Sequence, residues 1–331
     1  MLDFRIGRTL ALLARTAPFL LLRLAIYFGI ALAYVLAVAI GGGIGALFGH
    51  IGGQGAGGGG FGALIGFAAV SGVLYWAREY LLYLVEAGHV AVLVALLDGK
   101  PLPAGKGQLA WGSEVVRAHF ATSSMLFGLN QLIRGVLRAF DRMTQGIAAW
   151  LPIPGLDSLA KLVDAIVRTG LGRLDQVILA QILRRGDDEP WAVARDSVVL
   201  YAQNAKGALK NAVFLTLVIW GLTLLVLVAA AAPVAAMLAV FHVHAGIATF
   251  ALAVIAALCL KAALIDPFAT LALLQAYDRI TRGQAPNAQW SAKLETMSAK
   301  FRELAQRARD AVRAPAAATG SAPIAVPPRS G

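Results

Sequence analysis

One stretch of the chain places ionisable and aromatic side chains inside an apolar segment. The run from residue 75 to residue 89 reads YWAREYLLYLVEAGH. A helical advance of about 100° per residue brings five of its side chains onto one face, within an arc of roughly 120°. They are Tyr75, Glu79, Tyr83, Glu86 and His89. Ionisable groups in a membrane helix usually face the bundle interior or a water-filled cavity. This face therefore predicts a substrate pathway through the helix bundle. Two carboxylates between two tyrosine rings suit an organic cation, through charge and cation–π attraction.

The same residues also admit a structural interpretation. Glu79 would then pair with Arg78 or with an arginine of another helix, and the aromatic side chains would belong to an interfacial belt. A second candidate site lies near the end of the apolar region, where Lys261 precedes Asp266 and Pro267. An aspartate before a proline is a natural N-cap for a new helical segment, and discontinuous helices are common at transporter binding sites. The alternative is a capped proline kink, with Lys261 extending to the membrane surface. Arg78 and Lys261 are predicted to be structural residues that form ion pairs.

The sequence shows none of the common catalytic or metal-binding patterns. We find no zinc spacing, P-loop, nucleophile elbow or paired-carboxylate pattern, and the five histidines are scattered. His242 and His244 stand two residues apart, which does not place both on one helical face. The single cysteine, Cys259, forms no intrachain disulfide. We therefore predict neither an enzyme nor a metal or cofactor site.

The composition is that of a membrane protein. Apolar residues make up 59% of the 331 residues and charged residues 14%, against roughly 45–50% and about 25% in soluble domains. A mean hydropathy of +0.71 leaves too little polar surface for a water-soluble enzyme or a disordered chain. The formal net charge is +11. In a membrane protein, such lysines and arginines set the topology and contact anionic lipid headgroups rather than nucleic acid.

The apolar pattern predicts an all-α fold, a polytopic transmembrane bundle with amphipathic cytoplasmic helices. About 20 apolar residues cross a hydrocarbon core of about 30 Å. Five spans are predicted within a transmembrane domain of residues 17–280, at 17–49, 61–97, 115–140, 195–232 and 246–280. The other predicted segments are an interfacial helix (1–16), a cytoplasmic surface helix (156–185), a basic amphipathic helix (287–313) and a disordered tail (314–331). The amphipathic segment 156–185 should lie on the membrane surface or against partner helices.

Two segments do not fit a simple span. Residues 41–60 contain 12 glycines, and each costs a helix about 1 kcal/mol relative to alanine. We expect a loop there, with a glycine-rich re-entrant segment as the alternative. Residues 61–97 would form a helix of about 55 Å, which projects beyond the membrane or is strongly tilted. The four-residue spacing of Gly41, Gly45 and Gly49 permits close helix contact and leaves a homo-oligomer open.

The basic residues predict the orientation. Six lysines and arginines lie between the third and fourth predicted spans, and four more, Arg134, Arg138, Lys206 and Lys210, lie near the adjoining ends of those spans. The positive-inside rule places this connection and the C-terminal helix in the cytoplasm, with the protein in the inner (plasma) membrane. Five crossings would then put the N-terminus outside, against its own Arg5, Arg8 and Arg15. Either residues 61–97 form two short crossings, or the charges of the later connection outweigh those of the N-terminus, and the sequence leaves both alternatives open.

Several segments, taken in order, resemble the C-terminal half of the choline transporter-like family of eukaryotic membrane proteins. They are EAGH (86–89), DGKPLP (98–103), RAHF (117–120), SSMLFGLNQLIR (123–134) and ARDSVVLYAQN (194–204), with Asp266 in the last span. The resemblance covers about residues 75–300. The first spans of the family, its large extracellular loop and its cytoplasmic cysteines have no counterpart here.

This resemblance implies uptake or exchange of choline, ethanolamine or a related small organic cation. The residues expected along the path are those of the 75–89 face together with Asp266. The competing hypothesis is a non-transporting membrane scaffold, whose basic connection and C-terminal helix bind anionic lipids or cytoplasmic partners.

Overall fold

Every secondary-structure element in the described residues is a helix. The computed structural model describes residues 3–52, 55–103, 105–119, 128–137, 173–185, 189–240 and 246–313, in some places, including 75–80, for the backbone only. The helices are α1 (Ile6–Arg15), α2 (Ala17–Ile51), α3 (Gly55–Leu97), α4 (Gln108–His119), α5 (128–137), α6 (Leu174–Arg184), α7 (Pro190–Gln203), α8 (Ala205–Val240), α9 (Ile247–Leu260), α10 (Asp266–Ile280), α11 (Ala288–Met297) and α12 (Ala299–Arg313). A π-helical turn, Lys261–Ile265, joins α9 to α10. The predicted all-α class is confirmed.

The helices form two apolar pairs that project from one helical head. The first pair is α2 with α3, and the second pair is α8 with α9. The head contains the end of α3 and the helices α1, α4–α7 and α10–α12, which share one hydrophobic core. Four segments of the described chain are long and apolar enough to cross a membrane, at Ala17–Ile51, Gly57–Leu74, Ala205–Val240 and Thr249–Ile280. Because α2, α8, α9 and the apolar first part of α3 expose large apolar side chains, the chain is a multi-pass membrane protein.

The glycine-rich segment is helical, so the predicted loop is wrong for most of its length. Helix α2 continues to Ile51 and α3 begins at Gly55. A Cβ atom at Gly45 would overlap the carbonyl oxygen of Gly58, and one at Gly62 would overlap that of Gly41. The two backbones therefore lie in direct contact along a stripe of small residues. This close packing offsets the intrinsic cost of glycine in a helix.

Helix α3 extends beyond the apolar pair into the head. Its last part, from Ala87 to Leu97, is fully buried among the head helices. At its C-terminus, the Arg8 guanidinium of α1 donates a hydrogen bond of 2.9 Å to the carbonyl oxygen of Leu97. The predicted span 61–97 is long because its second half projects into the head, which was one of the two expected explanations. The candidate span itself is shorter, Gly57–Leu74.

The predicted span at 115–140 corresponds to parts of the head. Helix α4 packs against α3 through Gly112, where an added Cβ would lie only 2.7 Å from the carbonyl oxygen of Gly88. Helix α5 buries Leu129, Ile133 and Val136 in the common core. Residues 120–127, which lie between these helices, are outside the described part. The described chain therefore contains four candidate spans where the sequence predicted five.

Both ends of the described chain lie at the head. The backbone N–H of Asp3 donates to Asn211 Oδ1 at 3.0 Å, near the start of α8. At the other end, α12 packs on α7, with the Arg307 guanidinium 4.9 Å from the ring centre of Trp191. An even number of crossings returns a chain to its starting side. The four candidate spans of the described residues would therefore place both ends of the described chain on the same side of a membrane.

Helix α6 is at the centre of the head. Residues 174–183 are all buried, and α6 contacts α3, α7 and α10. The sequence predicted that this segment lies on the membrane surface or packs against partner helices. Its described part packs against other helices of the chain. Its remainder, 156–172, lies outside the described residues. The apolar positions Leu174, Val177 and Ile178 explain the burial, and the polar ones are satisfied by other helices, as shown below.

The predicted span 195–232 divides at Asn204. Its side-chain amide donates to the backbone carbonyl oxygen of Leu200 and to the side-chain Oε1 of Gln284, where α7 ends. A separate helix, α8, then runs from Ala205 through Pro233 to Val240, eight residues beyond the predicted end of the span at residue 232. The predicted basic helix 287–313 forms two helices that meet at Ser298, whose extended backbone separates them. The tail 314–331 lies outside the described residues.

Candidate functional site

A buried network of charges joins the two helix pairs to the head. We call it the Arg23 network, and it consists of Arg23, Glu86, Arg173, Gln176, Lys261, Asp266 and Thr270. At its centre, the Arg23 side chain of α2 is 3% exposed. Its Nη2 atom lies 3.2 Å from Glu86 Oε1 on α3 and donates to the carbonyl oxygen of Ala262 at 2.8 Å. One guanidinium thus connects α2, α3 and the π-helical turn.

The carbonyl of Ala262 is available because of the residues that follow it. In the π-helical turn, the backbone N–H of Asp266 bonds to the carbonyl oxygen of Lys261. A regular helix would have directed this N–H to Ala262. The next residue, Pro267, has no N–H to replace it. The local sequence therefore leaves one backbone acceptor unsatisfied inside the apolar region, and Arg23 satisfies it.

The second oxygen of Glu86 continues the network into the head. Gln176 Nε2 donates to Glu86 Oε2 at 2.9 Å. The carbonyl oxygen of the same amide, Gln176 Oε1, accepts a hydrogen bond from the hydroxyl of Thr270. Helices α3, α6 and α10 are thereby joined by a continuous chain of hydrogen bonds. This explains how α6 accommodates a glutamine in its buried position.

Asp266 is paired with two cations. Lys261 Nζ lies 2.8 Å from Asp266 Oδ1, and Arg173 Nη2 lies 2.5 Å from Asp266 Oδ2. The backbone of Asp266 is helical, with φ −64° and ψ −45°. The residue is therefore part of a continuous helix and does not cap a separate one, which corrects the expected break. The π-helical turn accommodates Pro267, whose ring would clash with the carbonyl group four residues earlier in a regular α-helix.

His89 has a different role from that of Glu86, although both lie on the predicted face. Its ring stacks on Phe19, with 5.0 Å between ring centres and 2° between planes. His89 Nε2 lies 2.9 Å from the hydroxyl of Thr16, which donates its own proton to the carbonyl of Leu13. The histidine therefore donates from Nε2 and fixes the start of α2 against α3.

Tyr83 lies in the core next to a second ion pair. Its side chain is buried. Asp175 Oδ2 accepts from Arg134 Nε at 2.9 Å, and Asp175 Oδ1 accepts from the backbone N–H of Gln176 at 3.0 Å. This pair joins α5 to the first turn of α6. It stands beside the Arg23 network and supports the position of Gln176.

The structure brings together only part of the predicted site. Tyr83, His89 and Asp266 are buried at the junction of the helices, and Glu86 is partly buried there, with 17% of its side chain exposed. Lys261 pairs with Asp266. The side chains of Tyr75, Arg78 and Glu79 lie outside the described part of α3. Their predicted roles stay predictions.

Sequence reasoning missed four members of the network. Arg23 was visible as the one charged residue in the first apolar segment, which is a sign of a buried partner. Arg173, Gln176 and Thr270 carried no such signal, because polar residues of amphipathic helices are ordinarily solvated. Their roles depend on α6 being central, which the local pattern does not determine.

The arrangement favours charge pairing over binding of an organic cation. Three cations, Arg23, Arg173 and Lys261, face the two carboxylates of Glu86 and Asp266. In the part of the chain that the structure describes, Arg23 Nε has no hydrogen-bond partner. The site therefore has more hydrogen-bond donors than acceptors. No three potential metal-ligating side chains converge within that part either.

A further clamp closes the head away from the apolar pairs. Arg184 binds Asp278 through two hydrogen bonds, of 2.7 and 3.0 Å, and Arg184 Nε donates to Asp98 at 3.0 Å. Burial by itself would lower the pKa of Arg184, but the hydrogen bonds and charges of Asp278 and Asp98 raise it above its usual value. The clamp joins the ends of α3, α6 and α10.

Comparison with known protein families, curated proteins and solved structures finds no match for this chain.

Proposed function

We propose that this membrane protein is a polytopic scaffold that binds anionic lipid. Two apolar helix pairs would anchor a basic head on one face of the bilayer, and the head would bind anionic phospholipid headgroups. The observation that carries the proposal is the separation of charge along the fold. The chain has no Asp, Glu, Lys or Arg between Arg23 and Arg78, or between Lys210 and Lys261. These two uncharged intervals are the projecting parts of the two helix pairs.

The charge pattern supports a cytoplasmic head. Each helix pair turns at an uncharged tip, near Gly52 in the first and near Gly246 in the second. The positive-inside rule assigns the side with lysine and arginine to the cytoplasm. Both ends of the described chain would then be cytoplasmic. The anionic inner leaflet would attract the basic residues at the base of the pairs.

The ion pairs support a structural role for the Arg23 network. Burying a charge is costly unless it is paired and hydrogen-bonded. Each described carboxylate of the network has a protein cation beside it, so the network stabilises the junction between the helix pairs and the head. A scaffold needs this fixed junction.

A thermal-shift experiment on the purified full chain tests the proposal. Addition of phosphatidylglycerol should raise the unfolding temperature more than phosphatidylcholine does. Choline and ethanolamine should leave the unfolding temperature unchanged. Equal effects of the anionic and zwitterionic lipids would contradict the lipid-binding scaffold.

The second candidate is the organic-cation transporter that the sequence predicts. The observation that favours it is that Glu86 and Asp266, distant in sequence, belong to one buried network beside a π-helical turn. A substrate cation would have to displace Arg23 or Lys261 from its carboxylate. Stabilisation by choline that is lost in Glu86→Gln, in a protein that still inserts into the membrane, would support this candidate. Uptake into proteoliposomes that is unchanged by Glu86→Gln would exclude this site.

Topology is tested separately with single-cysteine variants. Cys259→Ser removes the only cysteine of the chain, and Gly7→Cys, Gln289→Cys and Gly52→Cys each add one at an exposed position. A membrane-impermeant maleimide should label Gly52→Cys in intact cells. The other two should react only after permeabilisation. Labelling of Gly7→Cys and Gln289→Cys from opposite sides would contradict the arrangement.

A further inference from the structure

A small basic cluster lies where the second helix pair leaves the head. Lys210 Nζ, in α8, is 3.5 Å from Asp3 Oδ2, and Arg279 Nε, at the end of α10, is 3.5 Å from Asp3 Oδ1. Asn211 Nδ2 donates to Asp3 Oδ2 at 2.8 Å. Three separate segments of the chain thus converge on one carboxylate, which holds the two cations close together.

The cluster is positive and accessible. The side chains of Lys210 and Arg279 are each 55% exposed, whereas that of Asp3 is 17% exposed. Lys206 is also exposed and precedes Lys210 by one helical turn, so it lies on the same face of α8. One carboxylate therefore stands against at least two cations. More than half of the side-chain surface of Lys210 and of Arg279 stays exposed.

The cluster borders the lipid-facing surface of α8. Leu209 and Leu217 expose their side chains, and the Phe4 ring lies 6.2 Å from the partly exposed ring of Phe214. Apolar exposure thus begins within two turns of the basic cluster. This boundary between cations and exposed apolar side chains is where the headgroups of a bilayer lie.

We infer that Lys210 and Arg279 bind the phosphate of an anionic phospholipid, whose acyl chains lie along Phe214 and Leu217. The inference rests on the proposed function and names its binding site. A phosphate oxygen accepts hydrogen bonds from both cations at once, and the guanidinium of Arg279 is suited to such an oxyanion. Free phosphate offers the same oxygens. The exposed apolar side chains next to the cluster favour the lipid.

The test compares two double variants of the full chain in detergent micelles. In Lys210→Gln/Arg279→Gln, the affinity for phosphatidylglycerol should fall about 30-fold, because each basic residue at an anionic surface contributes about fivefold. The matched control, Lys293→Gln/Arg302→Gln, removes the same charge from α11 and α12 and should bind as the wild type does. Native mass spectrometry measures the bound lipid. Unfolding temperatures in phosphatidylcholine show that both variants are folded.

A charge-preserving exchange and a free anion complete the design. Lys210→Arg/Arg279→Lys should retain lipid binding. If the glutamine variant is unfolded, the charge-reversed variant Lys210→Glu supplies the same test. It should lose phosphatidylglycerol binding while its unfolding temperature equals that of the wild type. Wild-type affinity in the folded glutamine variant would overturn this site while the proposed function stands. Absence of any preference for phosphatidylglycerol in the wild type would overturn both. Inorganic phosphate is added at 10 mM, which is enough to occupy a site with a Kd on the order of a millimolar. If it stabilises the wild type as much as phosphatidylglycerol does, the site belongs to a free anion.

Discussion

Replacing Gly45 by alanine tests whether direct backbone contact holds the first helix pair together. Gly45 on α2 faces α3, and the added Cβ would overlap the carbonyl oxygen of Gly58. It would also lie 2.8 Å from Gly62 Cα and 2.9 Å from Gly62 N. All three neighbours are backbone atoms, so no side chain can rotate to make room. The helices must separate.

The magnitude follows from two opposing effects. Ordinary van der Waals contact begins at 3.4 Å, so the added methyl group needs about 1.2 Å more distance from the Gly58 carbonyl oxygen and about 0.6 Å more from Gly62 Cα. A gap of 0.5–1 Å loses about a quarter to a half of the dispersion energy of each affected contact. Overpacking of this kind costs about 1–3 kcal/mol. Alanine gains about 1 kcal/mol over glycine as a helix former, so the net loss is up to about 2 kcal/mol.

A matched control lies two residues away. Gly43 on the same helix has no atom within 4 Å of an added Cβ, so Gly43→Ala should stabilise the helix by about 1 kcal/mol. The two variants change the same atoms and differ only in what the methyl group meets. Their free energies of unfolding should therefore differ by about 1–3 kcal/mol, measured by denaturant titration in micelles.

Disulfide formation supplies an independent measurement. A Cβ at Gly42 would stand 3.6 Å from Ala63 Cβ, which is within the range for a disulfide. In the Cys259→Ser background, Gly42→Cys/Ala63→Cys should oxidise readily. Adding Gly45→Ala should slow the oxidation, and adding Gly43→Ala should not. Equal stability and equal oxidation for the two alanine variants would refute direct backbone contact between α2 and α3.

Three further predictions concern the charges of the head and the junction. Arg23→Met or Glu86→Leu alone should cost about 3–5 kcal/mol of unfolding free energy, because each leaves a buried charge without its partner. The double variant should cost less than the sum of the two single costs. Additive costs would show that the pair is not coupled. Arg184→Lys should cost about 1–2 kcal/mol, since an ammonium cannot reproduce the two hydrogen bonds to Asp278; an unchanged denaturation midpoint would contradict the clamp. The hydrogen bond from the neighbouring amide lowers the pKa of Asp3, with its two cations contributing further. This carboxylate therefore adds stability above its unfolded pKa, and the stability is lost as the pH falls through the lowered value. The difference in unfolding temperature between wild type and Asp3→Asn should be full at pH 6 and should shrink below about pH 4, and a pH-independent difference would contradict the role of the charge.

The sequence by itself determined the class of the protein and the position of most apolar helices. Composition and the length of apolar runs are sufficient for this, because a bilayer imposes the same requirement on every spanning segment. The charge of Glu86 and Asp266 inside apolar segments also identified two members of the buried junction. These features depend on single segments, and periodicity describes single segments well.

Only the tertiary structure decided how the segments are used. The glycines in residues 41–60 predict a loop because glycine has a low helix propensity. Contact with a second glycine-rich helix stabilises the helical conformation instead. Helix α6 reads as amphipathic, yet Gln176 is buried because Glu86 and Thr270 satisfy its amide. The partner of Glu86 is Arg23, which is 63 residues away in the chain. Pairings across such distances are set by the packing of whole helices, so no local pattern in the sequence contains them.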